Sequence, residues 1–252
     1  MALSRRAFLA AAAAGLAACS KSVHRVVGSA STTVASSGVT PGRPTTTTEH
    51  VGPAALAYSG PRGRKMVAFT FHGSGALVLT QEMLDLTKRL SAPITVFAVG
   101  TWLQQNPDVA HRILDAGHEL ENHTYTHPQL RGASAATISR EVVGCRNVLA
   151  TQTGSGGTYF RPSGMEGNYP QAVMDQAGLA GYPVVCGFDV DPSDYLDPGA
   201  AAIETRVRQG LKPGSIVSLH LGHAGTVSAF PTLVADARAK GLEPVLVRDL
   251  LA

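Results

Sequence analysis

Apolar and polar positions follow two alternating patterns from about residue 65 to the C-terminus. Short apolar runs typical of strands lie at 66–71, 94–99, 119–122, 158–161, 182–190, 215–219 and 244–247. Longer amphipathic segments with helical spacing lie between them, at 80–90, 107–116, 134–150, 170–176, 200–209 and 230–240. Strands and helices that alternate over ~190 residues favour a parallel α/β sheet or an α/β barrel. The pattern therefore predicts one α/β domain, over residues 62–252.

Residues 1–19 have the features of an export signal. Arg5 and Arg6 precede a short, Ala-rich apolar run, and small residues lie before Cys19, as in a secretory signal peptide. Ser-Arg-Arg-Ala-Phe-Leu at 4–9 resembles a twin-arginine signal, and Leu-Ala-Ala-Cys at 16–19 resembles a bacterial lipobox. We therefore expect an exported lipoprotein, held on the outer face of the cytoplasmic membrane through lipidated Cys19. The alternative is plain secretion, with Cys19 incidental.

Residues 20–61 have a third composition. They are rich in Ser, Thr and Pro and show no apolar periodicity. Such a composition favours a disordered tether over a folded domain. We expect this tether to hold a catalytic domain, beginning at residue 62, away from the membrane.

Charge and cysteine content exclude several classes of function. The chain has 21 Lys and Arg against 18 Asp and Glu, and loss of Arg5 and Arg6 with the signal lowers the formal net charge from +3 to +1. So small a charge, without a basic run, argues against nucleic acid as a partner. No Gly-x-Gly-x-x-Gly follows the first strand, which argues against a dinucleotide site. Cys145 and Cys186 lie far apart among apolar residues, which predicts buried thiols. We expect a monomer.

Polar side chains follow most of the predicted strands. They are His72, His123, His127, Arg161, Asp191, Asp194 and His220. The carboxyl ends of parallel strands meet at one edge, so these side chains are expected to form one site. Two imidazoles four residues apart, as His123 and His127 are, can reach one cation from a helical turn, although a hydrogen-bonded surface pair has the same spacing. Imidazole is a preferred zinc ligand, and the pattern predicts a divalent metal, zinc, at a hydrolytic centre.

Four segments resemble, in order, the motifs of the polysaccharide deacetylase family, also called carbohydrate esterase family four. They are the metal-binding motif at 117–128, the arginine motif Tyr-Phe-Arg-Pro at 159–162, the Asp-x-x-Asp-Trp motif at 191–195 with Tyr195 for Trp, and the terminal Leu-x-His motif within 214–220. The resemblance runs from about residue 65 to the C-terminus. It implies a distorted (β/α) barrel and a metal-dependent hydrolase that removes N- or O-acetyl groups from chitin, peptidoglycan or xylan.

The resemblance also implies roles for single residues. His123 and His127 would bind the metal, and His220 would act as general acid. Asp191 would orient His220 or the network around Arg161. The residues expected to contact the acetylated sugar are Gly164, Tyr195 and Leu219.

The first motif departs from the family pattern. The family has Thr-Phe-Asp-Asp-Gly, with a catalytic base followed by a metal ligand, whereas this chain has Thr-Phe-His-Gly-Ser at 70–74. His72 therefore stands at the base position and Gly73 at the ligand position. In one interpretation His72 completes a three-His metal site with an open position. In another it is the base, held neutral by Arg161 and the metal.

A third interpretation makes the chain a catalytically inactive, surface-anchored carbohydrate-binding protein on the same fold. The other motifs are intact and favour catalysis over this alternative. A solute-binding lipoprotein would also suit the anchor and the tether. That class does not explain the ordered rim of His, Arg and Asp side chains.

Overall fold

The structure is a computed structural model and describes residues 52–164 and 167–252. The predicted signal at 1–19, with Cys19, and the tether up to residue 51 lie outside the described residues. Within those ranges, no helix combines the length and the apolarity needed to cross a membrane.

The described residues contain one sheet of eight strands, and all of its strand pairings are parallel. The strands are β1 (Ala55–Ala57), β2 (Met66–Gly73), β3 (Thr95–Ala98), β4 (Glu119–Asn122), β5 (Tyr159–Phe160), β6 (Val184–Cys186), β7 (Ser215–His220) and β8 (Glu243–Pro244). Their order is β1-β6-β5-β4-β3-β2-β7, and β8 pairs with β2. Bridges between Val190 and Val217 and between Ser59 and Ser215 join the two ends of the sheet. The sheet is therefore curled into a distorted barrel, as the resemblance to the deacetylase family implies.

Helices connect the strands and cover the outside of the barrel. They are α1 (Leu77–Leu90), α2 (Gly100–Gln105), α3 (Pro107–Asp115), α4 (Ala135–Thr153), α5 (Gln171–Leu179), α6 (Ala200–Gly210), α7 (Ala224–Ala239) and α8 (Val247–Leu251). The longest, α4, begins at a typical cap: the Ser134 hydroxyl accepts the N–H of Thr137. It ends at Gly154, whose φ of 78° lies in the left-handed region that glycine favours.

The central strands present one face to the helices and the other to the barrel interior, because side chains alternate along a strand. On β2, Phe69 and Phe71 face outwards and pack edge-on against Phe230 of α7. Full burial of each Phe contributes about 2–3 kcal/mol of hydrophobic stabilisation. Thr70 and His72 take the opposite face, which lines the interior. This alternation decides which residues of each strand can reach the site.

Several boundaries differ from the sequence-based prediction; α7, for example, begins at Ala224 and not at residue 230. Ala55–Ala57 forms β1 within the stretch assigned to the tether, so the folded part begins before residue 62. This strand is held by pairing with β6, a long-range contact that its Ala-Leu-Ala sequence does not reveal. The strand predicted at 182–190 is shorter, Val184–Cys186. Val247, predicted to end a strand, begins α8.

Candidate active site

His72 and His220 lie side by side at the carboxyl ends of adjacent strands. β2 and β7 pair in a register that places His72 opposite His220. Their imidazole rings stack, with centroids 4.3 Å apart and planes 15° from parallel. Both rings face a pocket at the top of the barrel.

His123 is buried between His72 and His127, and the three residues form a histidine cluster with His220. The Nδ1 atom of His123 lies 2.8 Å from the backbone oxygen of Arg161, and a carbonyl oxygen only accepts hydrogen bonds. The Nδ1 atom of His123 therefore carries the proton, and its Nε2 atom presents a lone pair. The Nε2 atom of His127 lies 3.2 Å from the Nε2 atom of His123.

The helical turn predicted for this pair is wrong, although the two side chains do meet. Residues 123–128 form a loop, in which Thr124 and His127 have φ values of 70° and 60°. A positive φ is unusual for a β-branched residue. It is supported here by a hydrogen bond from the Thr124 N–H to the side chain of Asn122, at 2.9 Å. The Glu141 carboxylate of α4 accepts the N–H groups of Tyr125 and Thr126, at 3.0 and 2.7 Å.

His72 connects His123 to a serine on β7. Its Nδ1 lies 2.8 Å from His123 Nε2, and its Nε2 lies 2.9 Å from the hydroxyl oxygen of Ser218. Burial, followed by the charges of His123 and His220, holds the pKa of His72 well below its usual value. The charge of Arg161 also lowers the pKa of His72, but by less than the charges of His123 and His220 do. His72 is therefore neutral at physiological pH.

His220 is oriented by Asp194, not by the predicted Asp191. One carboxylate oxygen of Asp194 binds His220 Nδ1 at 2.7 Å, and the other accepts the backbone N–H of His220 at 2.8 Å. The Thr226 hydroxyl donates to the second oxygen, also at 2.7 Å. Asp191 lies nearer the mouth, where its carboxylate accepts the N–H of Ser193. The assignment of Asp191 to His220 is thus corrected, because the second Asp of the motif is the one buried beside the ring.

A pocket of about 500 Å³ lies above these side chains. It is lined by His72, His127, Gln129, Arg131, Gly164, Phe188, Asp191, Tyr195, Ser218 and His220. Gly164 and Tyr195 are among them, and both had been predicted to contact substrate. Leu219 was predicted to line this pocket as well, and that prediction is wrong. Leu219 is fully buried in the core outside the barrel, and Ser218 faces the pocket because alternation puts it on the same side as His220.

Arg161 lies in the barrel interior beneath the pocket. Its guanidinium donates to Cys186 O, Gly187 O and the Thr70 hydroxyl at 2.9, 3.1 and 2.8 Å, and it stacks on the Phe97 ring. The side chain is fully buried. Arg161 therefore positions the site, chiefly through the carbonyl that binds His123, instead of acting as a catalytic residue.

Residues 59–185 match the family model described as polysaccharide deacetylase. A peptidoglycan-N-acetylglucosamine deacetylase of Bacillus cereus is 30% identical over 195 residues, which cover 76% of this chain and 90% of that protein. A chitooligosaccharide deacetylase of Sinorhizobium fredii is 32% identical over 162 residues, or 64% of this chain and 74% of that protein. The chain belongs to the polysaccharide deacetylase family.

One solved structure similar to this deacetylase-family chain is a carbohydrate esterase family four pseudoenzyme of Bacillus anthracis. It has a TM-score of 0.74 and 25% identity, and the match covers 79% of this chain and 69% of that one. A mutant of that pseudoenzyme with restored enzymatic activity matches with a TM-score of 0.73 and 26% identity, over 79% of this chain and 71% of that one. The same scaffold therefore occurs both with and without activity.

Gly73 occupies the position where the polysaccharide deacetylase motif has a metal-binding carboxylate, and the fold leaves little space for one. A Cβ atom at Gly73 would lie 2.9 Å from Val96 Cγ1 and 3.0 Å from the Ala98 Cα, both on β3. Contacts this short require a neighbouring group to move. The glycine therefore allows a close approach between β2 and β3.

The family's divalent metal fits two side chains of this chain as they stand. A tetrahedral site with metal–nitrogen bonds of about 2.0–2.1 Å separates its ligand atoms by about 3.3 Å, close to the 3.2 Å between the Nε2 atoms of His123 and His127. His72 would have to give up its hydrogen bond to His123 before it could act as a third ligand. Within 52–164 and 167–252, no group of three His, Cys, Asp or Glu side chains is already arranged to hold a metal ion.

Proposed function

We propose that this chain is a hydrolase that removes acetyl groups from an acetylated polysaccharide. The single observation that carries the proposal is the Asp194–His220 pair, which faces a pocket already containing His72 and His127. A carboxylate that holds an imidazole by one nitrogen and leaves the other facing a cleft is an arrangement for proton transfer. The amide or ester of an acetylated sugar needs that transfer at its leaving atom.

The proposed proton transfers use two histidines in different roles. Asp194 accepts the Nδ1 proton of His220, so the Nε2 atom of His220 is the one available to protonate the leaving amine or alkoxide. His72 is neutral and lies next to His220, so it is placed to accept a proton from the attacking group. A base and an acid on adjacent strands can act on one acetyl group without a large movement.

We propose that His123 and His127 hold a divalent metal, with zinc as the preferred ion for imidazole ligands. When bound, such a metal polarises a carbonyl and activates water. Their Nε2 atoms have a suitable separation, and the Arg161 carbonyl holds His123 in the tautomer that a ligand requires. His72 is the candidate third ligand, and its Nδ1 atom would be free to bind once its proton moves to Nε2 and its hydrogen bond to His123 is released.

The lining of the pocket supports a glycan as substrate. Phe188 and Tyr195 provide aromatic faces beside His72 and His220, with ring centroids 6.2 and 5.2 Å from the respective imidazoles. Gly164 also lines the pocket. We propose a peptidoglycan or a chitin-like glycan, the substrates named for the relatives. Export, with an anchor at Cys19 and no requirement for a partner subunit, would bring the domain to such a polymer.

The second candidate is an inactive carbohydrate-binding protein. It is favoured by one observation, the absence of both motif carboxylates at His72 and Gly73. The similar pseudoenzyme gives this alternative a structural precedent. The intact Asp194–His220 pair argues against it, because a protein that only binds glycans has no need for a buried carboxylate on this imidazole.

Acetate release and metal content of the purified protein separate the two candidates. The protein is offered N-acetylated chitooligosaccharides and peptidoglycan, and bound zinc is measured in parallel. The enzyme is expected to release acetate and to lose both zinc and activity in His123→Ala. The exposed His111 of α3 supplies the matched control, His111→Ala. Glycan binding without acetate release would support the inactive protein.

A further inference from the structure

Ser218 and His72 stand at two positions where the chain departs from its family's motifs, and their side chains touch. The Leu-x-His motif has a leucine two residues before the histidine, where this chain has Ser218 before His220. His72 replaces the first Asp of the first motif. Register pairs β2 with β7 in this region, and the Ser218 hydroxyl oxygen lies 2.9 Å from His72 Nε2. The two departures thus create one new pair.

The direction of each hydrogen bond in this cluster follows from a single backbone carbonyl. Arg161 O accepts the Nδ1 proton of His123, so His123 Nε2 must accept from its neighbour. Two nitrogens lie near this atom, His72 Nδ1 at 2.8 Å and His127 Nε2 at 3.2 Å. The nearer one, His72 Nδ1, is the donor and therefore carries the proton of His72. The Nε2 atom of His72 is left as an acceptor, and the Ser218 hydroxyl donates to it.

The same sequence of hydrogen-bond donors and acceptors is found around an activated serine in serine hydrolases. In such sites a hydroxyl donates to a neutral imidazole, whose other nitrogen donates to a third, orienting group. Here Ser218, His72 and His123 take those three places. Ser218 and His72 both line the pocket. Ser218 is only 1% exposed, so a small acyl group, and not a whole sugar, could reach its oxygen.

We propose that Ser218 is a nucleophile that accepts an acetyl group when no metal occupies His123. The Ser218 oxygen bonds to the acetyl carbon as its proton passes to His72 Nε2. The bond from the acetyl carbon to the leaving oxygen or nitrogen then breaks, and the leaving group takes that proton. Water attacks the acetyl-serine, gives a proton to His72, and releases acetic acid while the proton returns to the Ser218 oxygen. This inference rests on the proposed acetyl hydrolysis in the same pocket.

Trapping the acetylated serine is the test. The chelator-treated full chain is mixed with 4-nitrophenyl acetate, and peptides are analysed by mass spectrometry after an acid quench. We expect a burst of nitrophenolate equal to one per chain and one acetyl group on Ser218. Ser218→Ala should abolish the burst. Ser228→Ala, at an exposed serine on α7, is the matched control and should retain it.

Labelling of the unmodified chain by a fluorophosphonate keeps the test independent of how well Ser218→Ala folds. Modification at Ser218 is expected, and zinc added beforehand should prevent it by occupying His123. No label and no acetyl group on Ser218 would overturn the inference. Glycan deacetylation that persists in Ser218→Ala without an acetyl-serine would remove this inference but leave the proposed function. Acetyl-Ser218 formed from the aryl ester, with no reaction on any glycan, would support this inference and contradict the proposed function.

Discussion

The imidazole of His72 stacks on that of His220, with ring centroids 4.3 Å apart. The contact arises because β2 and β7 pair in a register that brings the last inward-facing residue of each strand together. Two positive charges at that distance would repel each other, and the charge of His220 is one of the causes that lower the pKa of His72. The stacking therefore favours a neutral His72 beside His220, which the proposed role of His72 as a base requires.

Asp194→Asn should reduce turnover more than Asp191→Asn does. An amide at 194 can present a donor to His220 Nδ1 and favour the wrong tautomer, and loss of one acid–base group costs about 10²–10⁴-fold in rate. Asp191 contacts the loop at Ser193, so its replacement should act mainly through KM. The measurement is kcat and KM for an acetylated oligosaccharide with each variant. An equal or larger loss of kcat in Asp191→Asn would restore the assignment made from sequence.

Glu141→Gln should loosen the loop that carries His127. The Oε2 atom of the carboxylate accepts both backbone N–H groups, and its Oε1 atom accepts the Thr126 hydroxyl. An amide removes the charge that strengthens the first two bonds and puts an N–H group where the hydroxyl donates. Loss of a hydrogen bond of this kind costs about 1–2 kcal/mol. We expect weaker zinc binding by calorimetry and a lower unfolding temperature. Glu82→Gln, at an exposed position on α1, is the control and should change neither quantity.

His118 should make stability depend on pH in the acid range. Its Nδ1 accepts the N–H of Ile94, and its Nε2 bonds to the Thr87 hydroxyl, so the folded protein holds the ring neutral. Burial lowers its pKa from 6.5 to about 4. The unfolded chain therefore binds a proton first as the pH falls through this window, and the folded state loses about 3 kcal/mol between pH 6.5 and 4.

The pH effect is isolated by comparing the parent with His118→Gln in urea unfolding experiments. The variant cannot take up a proton at this position, so the difference in free energy of unfolding between the two proteins should shrink as the pH falls. A difference that stays constant from pH 6.5 to 4 would show that His118 is not held neutral. Above pH 6.5 the difference should not vary.

Gly73→Asp, which restores the carboxylate of the family's motif, should destabilise the protein. The Cβ atom would press on Val96 and on the backbone at Ala98, and overpacking of this kind costs about 1–3 kcal/mol. Gly63→Asp is the matched control, since nothing lies within 4 Å of a Cβ atom there. Thermal unfolding measures both variants. A Gly73→Asp variant as stable as the parent would show that β2 and β3 can separate.

Much of the barrel could be predicted because its central strands are apolar runs with clear limits. The ends of β2 and β7 were predicted to within two residues. The convergence of His72, His123 and His220 at one site was predicted as well. β1 was missed, because its three residues are held by pairing with β6 and carry no local pattern. The loop of His127 was taken for a helical turn, since sequence does not reveal that Glu141 and Asn122 hold it.

The remaining errors at the site come from side-chain direction. Leu219 was expected in the pocket from the family resemblance, but neighbours in a strand face opposite ways, and Ser218 takes that place. Asp191 and Asp194 have the same side chain, and only the short 3-10 turn at Asp194–Leu196 decides which one meets His220. Period-two alternation, applied backwards from His220, would have identified Ser218.

Acetate released from an acetylated glycan tests the central claim most directly. Peptidoglycan and chitooligosaccharides are incubated with the zinc-loaded protein, and free acetate is followed by proton NMR, with His220→Ala as the paired sample. We predict that acetate accumulates with the parent and falls by about 10²–10⁴-fold in rate with His220→Ala. Equal release of acetate by the two proteins would contradict the account. No acetate from a parent that still binds the glycan would also contradict it, and would identify the chain as a binding protein.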